Sequence, residues 1–254
     1  MKHPQVWLIG GTQDSVAIAT FLTTHQIPFV VSVASDAARG LYGDRVRLVV
    51  GRMPQSTMTA FCQQELIRAI VDASHPFAVE VSQQAISVAK GLNLPYLRYE
   101  RKHCVPSELK DQHSIIELDS FATLVAGDYL EGHRVLLTVG CQTLHLFKPW
   151  QHRATLYARI LPKPESLAMA MAAGFTSDRL VAIRPPLTRE LERALWQQWQ
   201  ISLVVTKASG KPGGEDLKRQ LSAELEIPLI AIARPQISYP QQTSTLEEIL
   251  PFLV

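Results

Sequence analysis

Short runs of Val, Ile and Leu recur along the whole chain, and segments with a helical spacing of apolar residues separate most of them. The first series of runs is VWLIG at 6, PFVVSVA at 28, VRLVVG at 46, AIVDA at 69 and LPYLRY at 94. The second series is RVLLTVG at 134, TLYARIL at 155, RLVAI at 180, SLVVTK at 202 and IPLIAIARP at 227. Strands that alternate with helices are typical of parallel sheets, so the pattern predicts an α/β fold.

Two series of strands in 254 residues indicate two doubly wound, mostly parallel Rossmann-like domains. The segment 99–113 is polar, contains a proline and has no sustained periodicity, so we place the break there. The expected domains are 1–100 and 101–254. A cleft between two such domains would suit a ligand that is too large for either one alone.

Charge and cysteine usage exclude several classes of protein. A net charge of +2 without a run of like charges does not favour a nucleic-acid surface. The chain has no signal-peptide pattern near its start and no apolar segment of roughly 18 to 20 residues, which favours a cytoplasmic protein without a membrane span. Cys62, Cys104 and Cys141 are widely spaced, and the histidines have no metal-ligand spacing, so we expect no protein-bound metal.

In sheets of this type ligands bind beyond the carboxyl ends of the strands. The first such exit carries Gly10, Gly11 and Thr12, followed by a helix that should begin near Asp14. Paired glycines let backbone N–H groups approach a pyrophosphate, and the positive end of a helix favours its charge. The third glycine of the usual dinucleotide fingerprint is absent, and a tight turn without a ligand would explain the same residues.

The second and third exits bear on the choice of cofactor. An NAD site usually has an acid at the end of its second strand, whereas Ser32, Ser35 and Arg39 follow this one and could accommodate the 2′-phosphate of NADPH. Asp36 opposes that interpretation, and a solvated loop is the alternative. At the third exit, in the sequence GRM at 51, Gly51 and Arg52 would allow the backbone to lie close to the cofactor.

The fourth exit reads VDASHPFAVEVS at 71. Pro76 suits the first turn of a helix, with Ser74 or His75 near its cap, and capping alone would account for these residues. The functional alternative is that this turn closes over the nicotinamide end of a cofactor, with Ser74 and His75 facing the cleft.

A glycine-rich segment, VVTKASGKPGGEDLKRQ at 204, stands out in the second half. A strand delivers Lys207, and a turn with Ser209, Gly210, Gly213 and Gly214 leads to a helix that should begin near Glu215. Exposed N–H groups in such a turn, helped by Lys207 and Lys211, can hold carboxylates or phosphates. The sequence lacks the G-K-[ST] of a P-loop, and a flexible surface loop is the alternative.

Taken in order, several segments resemble one family, the precorrin-6A reductases of cobalamin biosynthesis, including those that act on the cobalt form. The resemblance covers nearly the whole chain through LIGGTQDS, GRM, DASHPFAVEVS, LPYLRYER, ARILPKPES, GFTSDRLVAI, VVTKASGKPGGEDLK and IPLIAIARP. Ser74 stands where the family typically has Thr, so the hydroxyl is kept. The chain departs from the family pattern at VGCQ, 139–142, and at RPPLT, 184–188.

The resemblance implies an NADPH-dependent reduction of one double bond in a corrin precursor, a large macrocycle with many carboxylates. His75 would shape the nicotinamide end of the cofactor site, and Lys207 would serve the macrocycle; these two are the candidate proton donors. Basic groups and the glycine turn would receive the carboxylates, namely Arg98, Arg101, Arg159, Lys163, Ser209, Gly210, Gly213 and Gly214.

Any cobalt would arrive inside the macrocycle. Two other functions stay open at this point: a tetrapyrrole synthase of similar two-domain architecture, which needs no nucleotide, and a carrier or sensor that binds a nucleotide or macrocycle without reaction. The sequence does not indicate an oligomeric state.

Overall fold

A computed structural model describes residues 3–101, 114–210 and 213–253 of the chain. The chain forms two compact units. The first comprises Met1–Lys102 and Gln236–Val254, and the second comprises His103–Pro235.

The first unit contains a six-stranded sheet in which every pair of neighbouring strands is parallel. Its strands are β1 (Gln5–Ile9), β2 (Phe29–Val33), β3 (Leu48–Val50), β4 (Ile67–Asp72), β5 (Tyr96–Tyr99) and β12 (Gln242–Thr243), and their spatial order is β12-β5-β4-β1-β2-β3. The chain therefore runs from β1 outward to β3, returns to β4 on the other side of β1, and continues outward to β5.

Helices cover both faces of this sheet: α1 (Gln13–Thr24), α2 (Gln55–Gln64), α3 (Val79–Gly91) and α8 (Ile249–Leu253). Alternate residues of β1 enter two different cores. Val6 and Leu8 pack in the core that includes α1 and α8, whereas Trp7 and Ile9 pack in the core that includes α2 and α3. Each strand of this kind is buried on both faces, which explains the continuous apolar runs in the sequence.

The C-terminal segment returns to the first unit. β12 pairs with β5, with Gln242 beside Arg98, and α8 buries Ile249 and Leu253 in the core that contains Val6. This grouping differs from the expected domains, because a second domain that runs from 101 to 254 would include residues 236–254. The sequence analysis missed β12, which is two residues long and polar.

The second unit contains another six-stranded sheet, again with parallel pairing throughout. Its strands are β6 (Ile115–Leu118), β7 (Arg134–Leu137), β8 (Thr155–Ile160), β9 (Leu180–Ala182), β10 (Leu203–Lys207) and β11 (Leu229–Ile232), and their order is β6-β11-β10-β7-β8-β9. The helices are α4 (Phe121–Ala126), α5 (Pro164–Ala172), α6 (Arg189–Gln198) and α7 (Glu215–Leu225), with a 3₁₀ helix at Cys141–His152. On one face, Trp196 of α6 and Leu221 of α7 pack against Leu136 and Val204.

Each sheet has one topological switch point, where the strand order reverses. In the first unit it lies between β1 and β4, and in the second between β7 and β10. The crevice beyond the carboxyl ends of two such strands is where open α/β sheets bind ligands. The prediction of two doubly wound α/β units with parallel sheets is confirmed. Within the described ranges, no helix combines the length and the apolar character needed to cross a bilayer.

Candidate functional site

The turn after β1 is held tightly against its own unit. A Cβ on Gly10 would lie 2.4 Å from the Tyr42 hydroxyl oxygen and 2.8 Å from Val31 Cγ1, so a larger residue there would displace both side chains. Gly11 has a φ of +103° and open space where a Cβ would stand. Thr12 is the N-cap of α1 and accepts a hydrogen bond from the Ser15 N–H at 3.1 Å.

The N–H groups of this turn donate hydrogen bonds to the hydroxyl groups of Ser15 and Tyr42. The Gly11 N–H donates to Tyr42 Oη (2.9 Å) and to Ser15 Oγ (3.1 Å), and the Thr12 N–H donates to Ser15 Oγ (3.0 Å). A phosphate that used these N–H groups would have to share them with Ser15 and Tyr42. Sequence reasoning missed both residues, although the T-x-x-S spacing of Thr12 and Ser15 is a recognisable capping signal.

At the exit of β2, the three predicted residues differ in their surroundings. Ser32 is buried, and its hydroxyl accepts a hydrogen bond from Trp7 Nε1 at 2.8 Å, which accounts for this serine without a ligand. Ser35 precedes the 3₁₀ helix Asp36–Leu41. Arg39 is exposed, and its Nε lies 2.9 Å from Asp36 Oδ1, so the two side chains form an ion pair.

The exit of β3 has the same backbone feature as the exit of β1. Gly51 has a φ of +127° and open space where a Cβ would stand, as Gly11 does. Arg52 is exposed and makes no hydrogen bond or ion pair with the described residues. Because β1, β2 and β3 are neighbours in the sheet, the two open glycines and the two exposed arginines, Arg39 and Arg52, follow adjacent strands.

The exit of β4 is built on a buried carboxylate. Asp72 is fully buried, and its Oδ1 accepts hydrogen bonds from the Ser74 N–H (2.9 Å) and from Arg98 Nη1 (3.1 Å). Its Oδ2 accepts hydrogen bonds from Ser82 Oγ and Tyr96 Oη, both at 2.6 Å. Burial, together with the charge of Asp72, raises the pKa of Tyr96. The tyrosine therefore stays protonated and donates.

The turn that follows brings Ser74 and His75 together at the first switch point. Ser74 is buried, and its Oγ accepts a hydrogen bond from Arg98 Nη1 at 3.2 Å. His75 is exposed; its Nδ1 accepts a hydrogen bond from the Phe77 N–H at 3.2 Å, so a neutral ring carries its proton on Nε2. The expectation that Ser74 or His75 caps a helix is wrong, because α3 begins only at Val79.

Arg98 lies within β5 and Arg101 follows that strand, and the two side chains have opposite environments. The Arg98 side chain is 1% exposed and donates to Asp72, Ser74 and Glu100. Burial alone would lower its pKa, but Asp72 and the other nearby acidic groups outweigh that effect and raise it. The expectation that Arg98 receives a substrate carboxylate is not supported, because its donors are already used inside the unit. Arg101 is half exposed and forms an ion pair with Asp14 at 2.5 Å.

In the second unit, Lys207 ends β10 at the second switch point. Its Nζ lies 5.6 Å from the centre of the Phe121 ring. Burial lowers the pKa of Lys207 to about 8, although nearby Cys141 opposes that effect. Cys141 follows Gly140, which has a φ of +78° just after β7. The structure thus places a partly desolvated amine at the position in this unit where an open sheet binds its ligand.

Side chains of the glycine-rich segment contact the described residues of the turn after Lys207. The Gly210 N–H donates to Glu215 Oε2 at 2.8 Å, and Glu215 is buried. A Cβ on Gly213 would lie 1.9 Å from Ser209 Oγ, so a larger residue at this position would force Ser209 to move. Gly214 adopts a left-handed conformation as the N-cap of α7. Lys211, which sequence reasoning added to this turn, lies outside the described residues.

A pocket of about 210 Å³ gathers three of the predicted substrate residues, namely Arg159, Gly213 and Gly214. The Arg159 side chain is 9% exposed and forms an ion pair with Glu192. Lys218 also lines the pocket, and its Nζ donates to the carbonyls of Gly213 (2.7 Å) and Gly214 (3.1 Å). Sequence reasoning gave Lys218 no role. Lys163 precedes α5 and is not among the residues that line this pocket.

The described part of the chain contains neither a cluster of metal ligands nor a disulfide. No group of three or more His, Cys, Asp or Glu side chains there is arranged to hold a metal ion. Cys62 and Cys141 are free thiols, and burial raises the pKa of Cys62 to about 11, which keeps it in the unreactive thiol form. Cys104 lies outside the described residues.

Several curated proteins are similar to this chain over almost their full length. A cobalt-precorrin-6A reductase from Synechocystis sp. is 44% identical over 252 residues, which is 97% of this chain and 95% of that protein. A cobalt-precorrin-6A reductase from Priestia megaterium is 34% identical and covers 98% of both chains. A precorrin-6A reductase from Rhodococcus erythropolis is 30% identical, with 96% and 94% covered.

A solved structure described as CobK precorrin-6A reductase has a TM-score of 0.80 to this chain, with 22% identity and coverage of 99% and 96% of the two chains. That likeness shows a shared fold. The family model for precorrin-6x reductase CbiJ/CobK matches residues 5–253, which is nearly the whole chain. The family match and the identities above agree, and the chain belongs to the precorrin-6x reductase family.

Proposed function

We propose that this protein is an NADPH-dependent oxidoreductase that reduces one carbon–carbon double bond of precorrin-6A or its cobalt form. The proposal extends family membership to this chain's own activity. The observation that carries it is the first switch point, where the Thr12 hydroxyl donates to the Ala73 carbonyl at 2.7 Å. The glycine turn after β1 and the Ser74–His75 turn after β4 thus meet where a sheet of this order binds its ligand.

The exits of β2 and β3 support NADPH rather than NADH. β2 ends at Val33, and neither of the next two residues, Ala34 and Ser35, is acidic. Asp36 is paired with Arg39, and Arg52 adds a second exposed guanidinium. Arginines near the second strand accommodate a 2′-phosphate, whereas an acid there selects the ribose hydroxyls of NAD.

When bound, NADPH supplies the hydride. His75 has the role of a positioning group at the nicotinamide end of the site. Its Nδ1 accepts a hydrogen bond from the Phe77 N–H, so a neutral ring carries its proton on Nε2. We expect most of the rate enhancement to come from holding NADPH and the macrocycle in contact.

Addition of a hydride to one carbon of the double bond requires a proton at the neighbouring carbon. We assign that proton to the Lys207 ammonium, because a pKa of about 8 leaves the amine mostly protonated at neutral pH and makes it a better acid than an ordinary lysine. Carboxylates of the macrocycle would be received by Arg101, Arg159, Lys163 and the turn that contains Ser209, Gly210, Gly213 and Gly214. Arg98 has no part in this set because its donors are used by Asp72, Ser74 and Glu100, whereas Arg159 is kept because it lines a pocket.

The test is anaerobic incubation of the purified protein with precorrin-6A and, separately, with its cobalt form, while the NADPH absorbance band and the macrocycle spectrum are followed. NADH serves as the control. We expect NADPH oxidation coupled to a spectral change of the macrocycle, and preference for the cobalt form in line with the 44% identical relative. NADPH that binds without being consumed would favour a carrier, and turnover of a linear tetrapyrrole without any nucleotide would favour a synthase.

A further inference from the structure

The Asp72 carboxylate lies at the end of β4 with all of its acceptor capacity in use. Four donors surround it: the Ser74 N–H and Arg98 Nη1 on Oδ1, and Ser82 Oγ and Tyr96 Oη on Oδ2. A carboxylate has about four lone-pair sites, so this group is saturated. We infer that Asp72 is a positioning residue, which sets the backbone of Ser74 and through it the orientation of the His75 ring.

The charges in this network favour a single arrangement of its members. Arg98 balances Asp72 and also donates from Nε and Nη2 to Glu100, so two acids share one guanidinium. The hydroxyls of Ser82 and Tyr96 supply the remaining stabilisation for Asp72. A buried polar network in which each member is satisfied has one favourable arrangement, and any displacement of the carboxylate would break several bonds together.

The network reaches His75 through the backbone. The Ser74 N–H is fixed by Asp72, and the preceding carbonyl, that of Ala73, accepts the Thr12 hydroxyl. On the far side, the His75 carbonyl accepts the Ala78 N–H at 2.7 Å, and Nδ1 accepts the Phe77 N–H. No regular helix supports this turn, because α3 begins at Val79. Asp72 therefore fixes the backbone of this turn, which helical hydrogen bonds would otherwise hold in place.

The aromatic groups around the network point to positioning rather than to stability alone. The Tyr96 ring stacks on Tyr239 at 6.5 Å, and Arg98 lies 5.4 Å from the centre of the Tyr239 ring. Well-packed apolar residues would stabilise such a site at least as well as a buried ion pair does. The Asp72 carboxylate, with all four acceptor sites in use, lies three residues before the exposed His75. Its effect on the geometry of this turn explains its presence better than a gain in stability does.

The experiment uses Asp72→Asn and Tyr96→Phe in the full chain, with Tyr157→Phe as the matched control. The asparagine keeps the shape of Asp72 but presents an NH₂ group where Oδ2 accepts two donors. The phenylalanine removes one of those donors. Tyr157 is another buried tyrosine whose hydroxyl bonds to an arginine, Arg134, and it belongs to the second unit. Circular dichroism verifies that each variant is folded. If Asp72→Asn does not fold, the inference is tested with Tyr96→Phe alone.

Nitrogen-15 NMR of histidine-labelled protein, with the His75 signals assigned from their loss in His75→Ala, reports the ring without cofactor or substrate. In buffer that keeps the ring neutral, we expect the wild type and Tyr157→Phe to carry the ring proton on Nε2, and both test variants to show a mixture of tautomers. Because the inference rests on the proposed function, steady-state kinetics provide the second measurement. We expect kcat to fall about 10- to 100-fold while the KM for NADPH changes little.

Unchanged His75 signals and an unchanged kcat in folded Asp72→Asn or Tyr96→Phe would overturn the inference. A shift in the His75 signals without any turnover in the wild type would leave the positioning role standing and would reject the proposed function instead. The two failures are therefore distinguishable.

Discussion

The Thr12 hydroxyl donates a hydrogen bond of 2.7 Å to the Ala73 carbonyl, and this bond joins the exits of the two strands that flank the first switch point. β1 and β4 are paired up to Ile9 and Asp72, so the bond continues their contact beyond the last pair of the ladder. The same threonine caps α1. One side chain thus fixes both a helix start and the relative position of two turns that belong to the candidate site.

Replacement of Thr12 by alanine should lower both stability and cofactor affinity. We expect a loss of about 1 kcal/mol in the free energy of unfolding, which is typical of a lost N-cap, and weaker binding of NADPH. Thr12→Ser should retain both. The matched control is Thr188→Ala, since Thr188 caps α6 in the second unit through the Leu191 N–H. Equilibrium urea unfolding and NADPH fluorescence titration measure the effects, and an equal loss of NADPH affinity in both alanine variants would contradict the assignment.

Arg98 and Arg101 should respond very differently to replacement by methionine. Removal of one partner of a buried ion pair costs about 3–5 kcal/mol, because the other charge is left buried and unpaired, and Arg98→Met leaves Asp72 in that state. Arg101→Met breaks a half-exposed pair and should cost about 0–1 kcal/mol. Denaturant unfolding monitored by circular dichroism gives both values. Similar small losses in the two variants would mean that Arg98 is not structurally required.

The strands that the sequence predicted are those whose apolar runs are buried on both faces of a sheet, as Val6 and Trp7 are. The two edge strands that it missed, β6 and β12, are short and border polar segments, so they lack that signal. β12 also joins the sheet from the far end of the chain. Local patterns do not encode such long-range pairing.

At the candidate site, the strand-exit rule selected Gly10, Gly11, Ser74, His75 and Lys207 for examination, and the structure places them at the two switch points. The rule could not separate exposed from buried arginines, because Arg98 and Arg101 are three residues apart in an equally polar stretch. Tyr42 could not have been found either, since it reaches Gly11 from a distant loop.

The contact between Gly213 and Ser209 predicts a coupled pair of substitutions. A Cβ at position 213 would lie 1.9 Å from Ser209 Oγ and 2.8 Å from Ser209 Cβ, so we expect Gly213→Ala to cost about 1–3 kcal/mol. Ser209→Gly removes both atoms and should recover part of that loss in the double variant, with a coupling energy of about 0.5–3 kcal/mol. The control is Gly43→Ala, where a Cβ would meet nothing within 4 Å. Additive losses in the double variant would show that the clash is relieved in another way.

Arg39 should contribute to the choice of NADPH over NADH. A charge-assisted hydrogen bond to phosphate contributes about 1.5–3 kcal/mol, and exposure of Arg39 favours the lower end, so Arg39→Ala should weaken NADPH binding about tenfold. NADH binding should not change. Arg153→Ala removes another exposed, ion-paired arginine from the second unit and serves as the control. A parallel loss of affinity for both nucleotides would contradict a contact with the 2′-phosphate.

Lys207 should set the alkaline limb of the pH profile. Its pKa is lowered to about 8 by burial, and a proton donor must carry its proton, so kcat/KM should fall as the pH rises through about 8. Lys207→Met should have low activity and should lose this limb. Lys148→Met, which removes an exposed lysine of the same unit, should keep the wild-type profile. The same alkaline limb in Lys207→Met would assign the proton to another group.

The same pKa predicts how stability depends on pH. An unfolded lysine titrates near 10.5, so between about 8 and 10.5 the unfolded state binds more protons than the folded state at Lys207. Stability therefore rises with pH in that window, because deprotonation relieves the cost of burying the charge. Lys207→Met removes that cost at all pH values. We expect this variant to be more stable than the wild type near neutral pH, with a difference that narrows from pH 8 upward. A constant difference across the window would mean that Lys207 titrates as an ordinary lysine and is a poor candidate for the proton donor.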